Sequence, residues 1–298
     1  MIDYFNLPNN DKNIQIFYGI GSSVWQIWQK PNGCKFAEMF VMGGGAGGSS
    51  GQTAASGTRL GGGGGGGAAT SKGVFSINTI PDTLYILVGM GGNGQTSSAN
   101  GTSGGLSYVS ITPSIASNAD FILVNGAVGP TCSNGQSAGS AGTIFVQTAA
   151  FCSYLGLVTP IAGTNGTAGG TNASPADSIS VTNITTGGAG GGSIRSLGSA
   201  EFAAGGLTGS GFIPTIAGSA GLGGEGISAP FYNLPSINNM NYPMIFIGGL
   251  GGGSSNSANG GKGGNGSYGC GGGGGGGGTT VGGFGGNGGD GLVIITSW

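Results

Sequence analysis

Two uninterrupted glycine runs, at 61–67 and 271–278, constrain this chain more than any other feature. Glycine loses more backbone entropy on folding than any other residue, so a run of this length stays ordered only if a regular structure pairs its N–H and C=O groups. Glycine supplies 76 of the 298 residues, whereas an ordinary chain carries roughly 7%. Collagen is excluded, because it needs glycine at every third position and abundant proline, while these glycines come in blocks beside only 11 prolines. A flexible Gly/Ser linker is the competing reading. Against it stand the 37% hydrophobic residues, gathered in segments such as FILV at 121–124 and LVII at 292–295, which require a core.

Left-handed threefold polyglycine II helices pair such runs. They share the three-residue turn and rise of about 3.1 Å of polyproline II but hydrogen-bond sideways to neighbouring helices. Bulky residues within the tracts, such as Leu60, Tyr268 and Phe284, are then expected at lattice edges, facing a core or a neighbouring layer.

Between the tracts lie short apolar or alternating segments: 13–18, 24–28, 35–42, 72–77, 82–88, 106–111, 120–126, 143–147 and 292–298, with weaker ones at 179–184, 211–216 and 242–248. Period-two alternation and bounding turn residues read as strands, with turns at Lys30-Pro-Asn-Gly33 and Pro81-Asp82. Long amphipathic patterns with helix caps are missing. The expectation is an all-β fold with minimal helix, a sandwich or jelly-roll-like body whose strands bracket the glycine tracts. Residues 1–42 read as an N-terminal strand region suited to assembly or attachment, and 43–298 as a glycine-rich β domain with a variable insertion at about 150–244.

Seven Lys/Arg, nine Asp/Glu and no histidine leave no basic stripe for phosphate, so nucleic-acid binding is not expected. A Ser-His-Asp triad is excluded by composition. The scattered acids form no glycosidase-like pair, and Lys262 in Gly261-Lys-Gly-Gly264 lacks the spacing and following helix of a phosphate loop. No catalytic residue, cofactor or metal is expected. Cys34, Cys132, Cys152 and Cys270 are far apart, leaving a Cys132–Cys152 disulfide and free buried thiols as open alternatives. The first residues do not read as a signal peptide and no stretch of about 18 apolar residues suggests membrane insertion.

Trp25-Gln-Ile-Trp28, Lys30-Pro-Asn-Gly33, the FAEMFVMGGG run at 36–45, LYILVGMGG at 84–92 and the closing GGDGLVIITSW at 288–298 together resemble the glycine-rich domain of bacteriophage tail-fibre and virion structural proteins. The resemblance covers about 24–92 and 245–298. It implies a non-enzymatic virion-surface protein, made in the host cytoplasm, of tail-fibre or adhesin type. Its implied partners are other copies of itself, with a trimer as the architectural prior, other virion proteins, and a host surface glycan or outer-membrane protein. A capsid fibre or decoration protein fits the same pattern. By exclusion the receptor contact falls in the middle region, where Tyr154, Phe212, Phe231, Tyr232 and Tyr242 are candidate stacking residues, although core packing is the commoner role of such aromatics. An ice-binding protein needs tripeptide spacing that the blocky runs lack, and an extracellular filament protein would polymerise in isolation.

Overall fold

The computed structural model describes residues 13–96, 99–114, 122–132, 156–171, 174–182, 184–195, 201–209, 215–219, 223–228 and 246–298. Alternating segments become strands because one face finds a core. In β1 (Asn13–Tyr18), Phe17 turns inward while Ile14, Ile16 and Tyr18 stay exposed. β1 pairs antiparallel with β11 (Leu292–Ser297), β11 with β3 (Phe36–Met42), β3 with β4 (Thr70–Ser76), and β4 with β8 (Gly156–Ile161), giving a five-stranded sheet. A four-stranded antiparallel sheet runs β2 (Trp25–Gln29), β5 (Thr83–Leu87), β6 (Ser107–Ser110), β7 (Ile122–Gly126). The two face each other across one core in which Trp28, Leu84, Ile86, Val109 and Val124 meet Met39, Val41, Phe75, Val293 and Ile295. The body is therefore an all-β sandwich, and among the described residues the only helix is a single 3-10 turn at Ile77–Thr79.

The turns at 30–33 and 81–82 each carry the chain from one sheet to the other. They are tied together by Lys30, whose N–H donates to the Asp82 carbonyl at 2.8 Å and whose Nζ meets the Asp82 carboxylate at 2.8 Å. Strand β8, which the sequence hides inside its Thr/Asn/Ala-rich middle, contains Pro160. It lies at the sheet edge, where a missing N–H costs no ladder bond. Of the weaker expected strands, the one at 179–184 forms Ile179–Ser180 (β9), paired in parallel with Leu207–Thr208 (β10), while 211–214 and 242–245 lie outside the described residues. Phe246 and Ile216 make isolated bridges. The expected strand at 143–147 lies outside the described residues.

Beyond the sandwich the glycine tracts form a lattice. Segment 271–278 shows its rule. Gly271, Gly274 and Gly277 donate to Thr186, Ala189 and Gly192 of one neighbour; Gly272, Gly275 and Gly278 to Ala46, Ser49 and Gln52 of a second; Gly273 and Gly276 to Gly264 and Gly261 of a third. Its carbonyls accept from three more: Gly249, Gly252 and Ser255; Gly65 and Gly62; Gly286 and Gly283. Every third residue addresses the same neighbour, which is the signature of a threefold helix with hexagonal surroundings. These bonds are 2.7 to 3.0 Å long, ordinary amide geometry.

Glycine is needed here for its missing Cβ. No glycine within 61–67 or 271–278 has a positive φ. A Cβ built on Gly272, Gly273 or Gly274 would instead lie 2.0 to 2.1 Å from a backbone oxygen of the adjacent helix. Non-glycine residues then mark open sides. Segment 281–290 reads Val-Gly-Gly-Phe-Gly-Gly-Asn-Gly-Gly-Asp. Its glycines face neighbours, with added Cβ atoms 1.7 to 2.2 Å from backbone oxygens. Val281, Phe284 and Asn287 face solvent. Tripeptide spacing, which the long runs lack, is thus present at this edge. Of the three expected edge residues, Phe284 is exposed and Leu60 and Tyr268 are half-buried, Tyr268 against the Met42–Phe246–Cys270–Leu292–Ile294 cluster at the junction with the sandwich.

Candidate binding face at the distal end of the lattice

Chain direction places the lattice turns. β3 runs straight into 43–52, and 60–69 returns into β4, the two segments bonding antiparallel through Ala46–Gly66, Ser49–Gly63 and Gln52–Leu60. In the same way β5 feeds 89–95 and 99–105 returns to β6, while 282–290 returns to β11. Segments 186–192 and 249–255 run parallel to 271–277, and 202–205 runs back along 190–193. The turns that join outward to returning segments therefore share the end away from the sandwich. Ten residues at about 3.1 Å each put that end roughly 30 Å from the sheets.

Hydrogen bonds join the distal turns to one another. Thr53 and Ser255 both bridge to Gly278, and Ala54 N–H donates to the Gly278 carbonyl. Gly282 N–H donates to Thr53 Oγ1 at 2.7 Å. Thr279 N–H donates to the Ala258 carbonyl at 3.0 Å, and its Oγ1 to the Ser255 carbonyl. Arg59 and Ile194 exchange backbone bonds of 3.2 and 2.8 Å. Asn256 N–H donates to Glu201 Oε1 at 2.6 Å. The resulting surface presents Thr53, Ser56, Asn256, Ser257, Ala258, Asn259 and Thr280 to solvent. Arg59 is only 5% exposed, folded under its own turn with Nε donating to the Ala54 carbonyl.

At the lateral edge, side-chain oxygens take part in the lattice pairing. Asp290 Oδ1 accepts from Gly91 N–H at 2.7 Å, Asn287 Oδ1 from Gly94 N–H at 2.9 Å, and Asn265 Oδ1 from Asn287 N–H at 2.9 Å. The three-residue spacing of Asn287 and Asp290 is thus edge pairing, a role not read from the sequence. The 281–290 repeat was the available signal.

Glu38, Asp82 and Glu201 are held structurally as well. Glu38 pairs with Lys72 at 3.1 Å on the sandwich, and its burial pushes its pKa up, with Lys72 pulling the other way. Of the alternatives for the thiols, Cys132 is free, its Sγ directed to the Gly47 carbonyl at 3.2 Å, and Cys270 is free and fully buried. Desolvation pushes the Cys270 thiol up to about 12. Cys152 and the five candidate stacking residues, Tyr154, Phe212, Phe231, Tyr232 and Tyr242, lie outside the described residues. Among the described residues no group of three His, Cys, Asp or Glu converges on a metal site, and no helix is long and apolar enough to cross a membrane.

The opposite end of the molecule differs in character. Ile14, Ile16, Tyr18, Ile20, Val24, Ile27 and Phe36, all within 13–36, are exposed on the sandwich, as is Leu157 of β8. Among the described distal turns Val281 is the large apolar residue in the same condition. The family model described as "Glycine-rich domain" matches residues 21–298, spanning sandwich and lattice alike. No curated protein matches the chain.

Proposed function

The chain belongs to this glycine-rich domain family, and we propose that it is a non-enzymatic virion structural protein of the bacteriophage tail-fibre or adhesin type, which attaches to the host surface through its distal turns. The observation that carries this reading is the polarity of the molecule. A stiff lattice gathers its turns at one end, joined by hydrogen bonds such as Gly282 N–H to Thr53 Oγ1. Exposed apolar residues gather at the other, on strands β1 and β2 and the turns beside them. Rigid presentation lowers the ordering cost of binding. An exposed apolar surface suits permanent docking within an assembly, so residues 13–36 are the proposed contact with other virion proteins or other copies. A capsid fibre or decoration protein would use the same two ends.

The 281–290 repeat favours one other reading, a regular ice-binding face, but that edge mixes Phe284, Asn287 and Asp290, and two of its three side chains accept lattice bonds. Thermal hysteresis of the purified chain would support it.

The test of the attachment reading combines light scattering of the full chain with binding of the labelled chain to a panel of intact bacteria. A variant with 255–259 replaced by Gly-Ser-Gly-Ser-Gly is compared at equal melting temperature. The expected result is an oligomer that binds cells of one strain and loses binding with the turn replaced. An oligomer that binds no cell leaves a purely structural subunit.

A further inference from the structure

The distal end is nearly uncharged. Of the seven Lys/Arg and nine Asp/Glu in the chain, the distal turns hold Arg59, Arg195 and Glu201. Arg59 is buried, and Glu201 Oε1 is engaged by Asn256 N–H, which leaves Arg195 exposed at the turns, with Glu225 and Lys262 exposed as single charges of opposite sign on the segments just behind them. What the end does present is short and polar: Thr53, Ser56, Asn256, Ser257, Asn259 and Thr280.

Resting on the attachment reading, we infer that the distal turns recognise an uncharged polyhydroxylated surface, a neutral polysaccharide. Hydroxyl and amide side chains both donate and accept, as sugar hydroxyls do, so a Ser/Thr/Asn surface can satisfy a glycan without a fixed sign of charge. An anionic glycan or phosphate is recognised by clustered Arg or Lys in bidentate geometry, and the distal end has no such cluster among its described residues. A protein receptor is gripped by aromatic, Met and Arg anchors in desolvated pockets, whereas here most exposed large apolar side chains lie on the sandwich and the described distal turns expose only Val281 among them. Short side chains also lose little rotamer entropy when bound, and the lattice beneath them is already ordered.

The test measures binding of the labelled full chain to the panel of intact bacteria at about 20 mM and about 500 mM NaCl, a range over which surface charge interactions are strongly screened. Cells are used untreated, after periodate cleavage of sugar diols, and after protease. The expected result is a dissociation constant that changes by less than about threefold with salt, with binding removed by periodate and kept after protease. A larger loss in salt, survival of binding after periodate, or loss after protease overturns the inference while leaving attachment intact. Binding to no strain at either salt defeats the attachment reading itself, and this inference with it. Thr280→Glu adds an uncompensated charge at the contact and is expected to weaken binding about tenfold, with Ser257→Glu as the second variant. Thr159→Glu, exposed on β8 at the other end, serves as the control and is expected to bind normally. Wild-type binding by both distal variants overturns the placement.

Discussion

Gly274→Ala tests the lattice at its centre. The added Cβ would lie 2.0 Å from the Gly62 carbonyl oxygen and 2.6 Å from its carbon. Non-bonded carbon and oxygen atoms approach to roughly 3 Å or more, so the two helices must part by about 1 Å. They cannot do so alone. Gly274 N–H to Ala189 (2.8 Å), Gly62 N–H to Gly275 (2.8 Å) and Gly191 N–H to Gly62 (2.9 Å) anchor the same atoms to other neighbours. Stretching 2.8 Å bonds by 1 Å takes them past hydrogen-bonding distance. Losing about two buried bonds at roughly 1–3 kcal/mol each costs about 2–6 kcal/mol. Replacing glycine restricts the unfolded chain and returns only about 0.4–1 kcal/mol. The net loss, about 1–5.5 kcal/mol, is a large part of an ordinary domain's stability.

The three-sector geometry sharpens the prediction. Gly275 and Gly276 point at Gly283 and Gly253 instead, with Cβ–oxygen distances of 1.9 and 2.0 Å, so Gly275→Ala and Gly276→Ala should cost similar amounts. Phe284→Ala, on the open side, should stay within about 0.5 kcal/mol of wild type. Chemical denaturation and calorimetry of the four variants measure this. Interior variants as stable as Phe284→Ala, or one sensitive position among the three, would refute the hexagonal packing.

Asn287→Ala removes the acceptor of Gly94 N–H at an exposed edge where water can substitute, and is expected to cost about 0.5–1.5 kcal/mol by denaturant titration. Glu38 titrates above its ordinary value of 4.5 because burial disfavours its charge. The folded state then holds more protons than the unfolded one just above pH 4.5, so this group's contribution to stability is present below that pH and lost as pH rises through the folded pKa. Glu38→Gln should flatten that part of the stability–pH curve; an unchanged curve would show that the Lys72 partner cancels the burial. Native alkylation followed by peptide mass spectrometry should label Cys34, which is partly exposed, well before Cys132 and Cys270, because a buried thiol pushed up to about 12 offers almost no thiolate. Rapid labelling of Cys270 without denaturant would show that the lattice opens readily.

Much of this architecture is local and therefore legible in sequence. Period-two alternation marked β1 and β2, and apolar runs marked β7 and β11, because a strand half buried in a sandwich must alternate and a strand covered on both faces need not. The uninterrupted run at 271–278 likewise required a surround of backbone on every side, since nothing else accommodates a chain without side chains. Its neighbours were not legible. Glycine carries no side chain by which one segment selects another, and the bonds from Gly272 to Ala46 or from Gly273 to Gly264 depend only on where the connecting turns deliver each segment. β8 was hidden because Pro160 argues against a strand until the edge position excuses it. The distal face was hidden for the same reason as the lattice partners. Thr53, Asn256 and Thr280 are scattered small polar residues in sequence, and become one surface because their segments run outward together and turn at the same height.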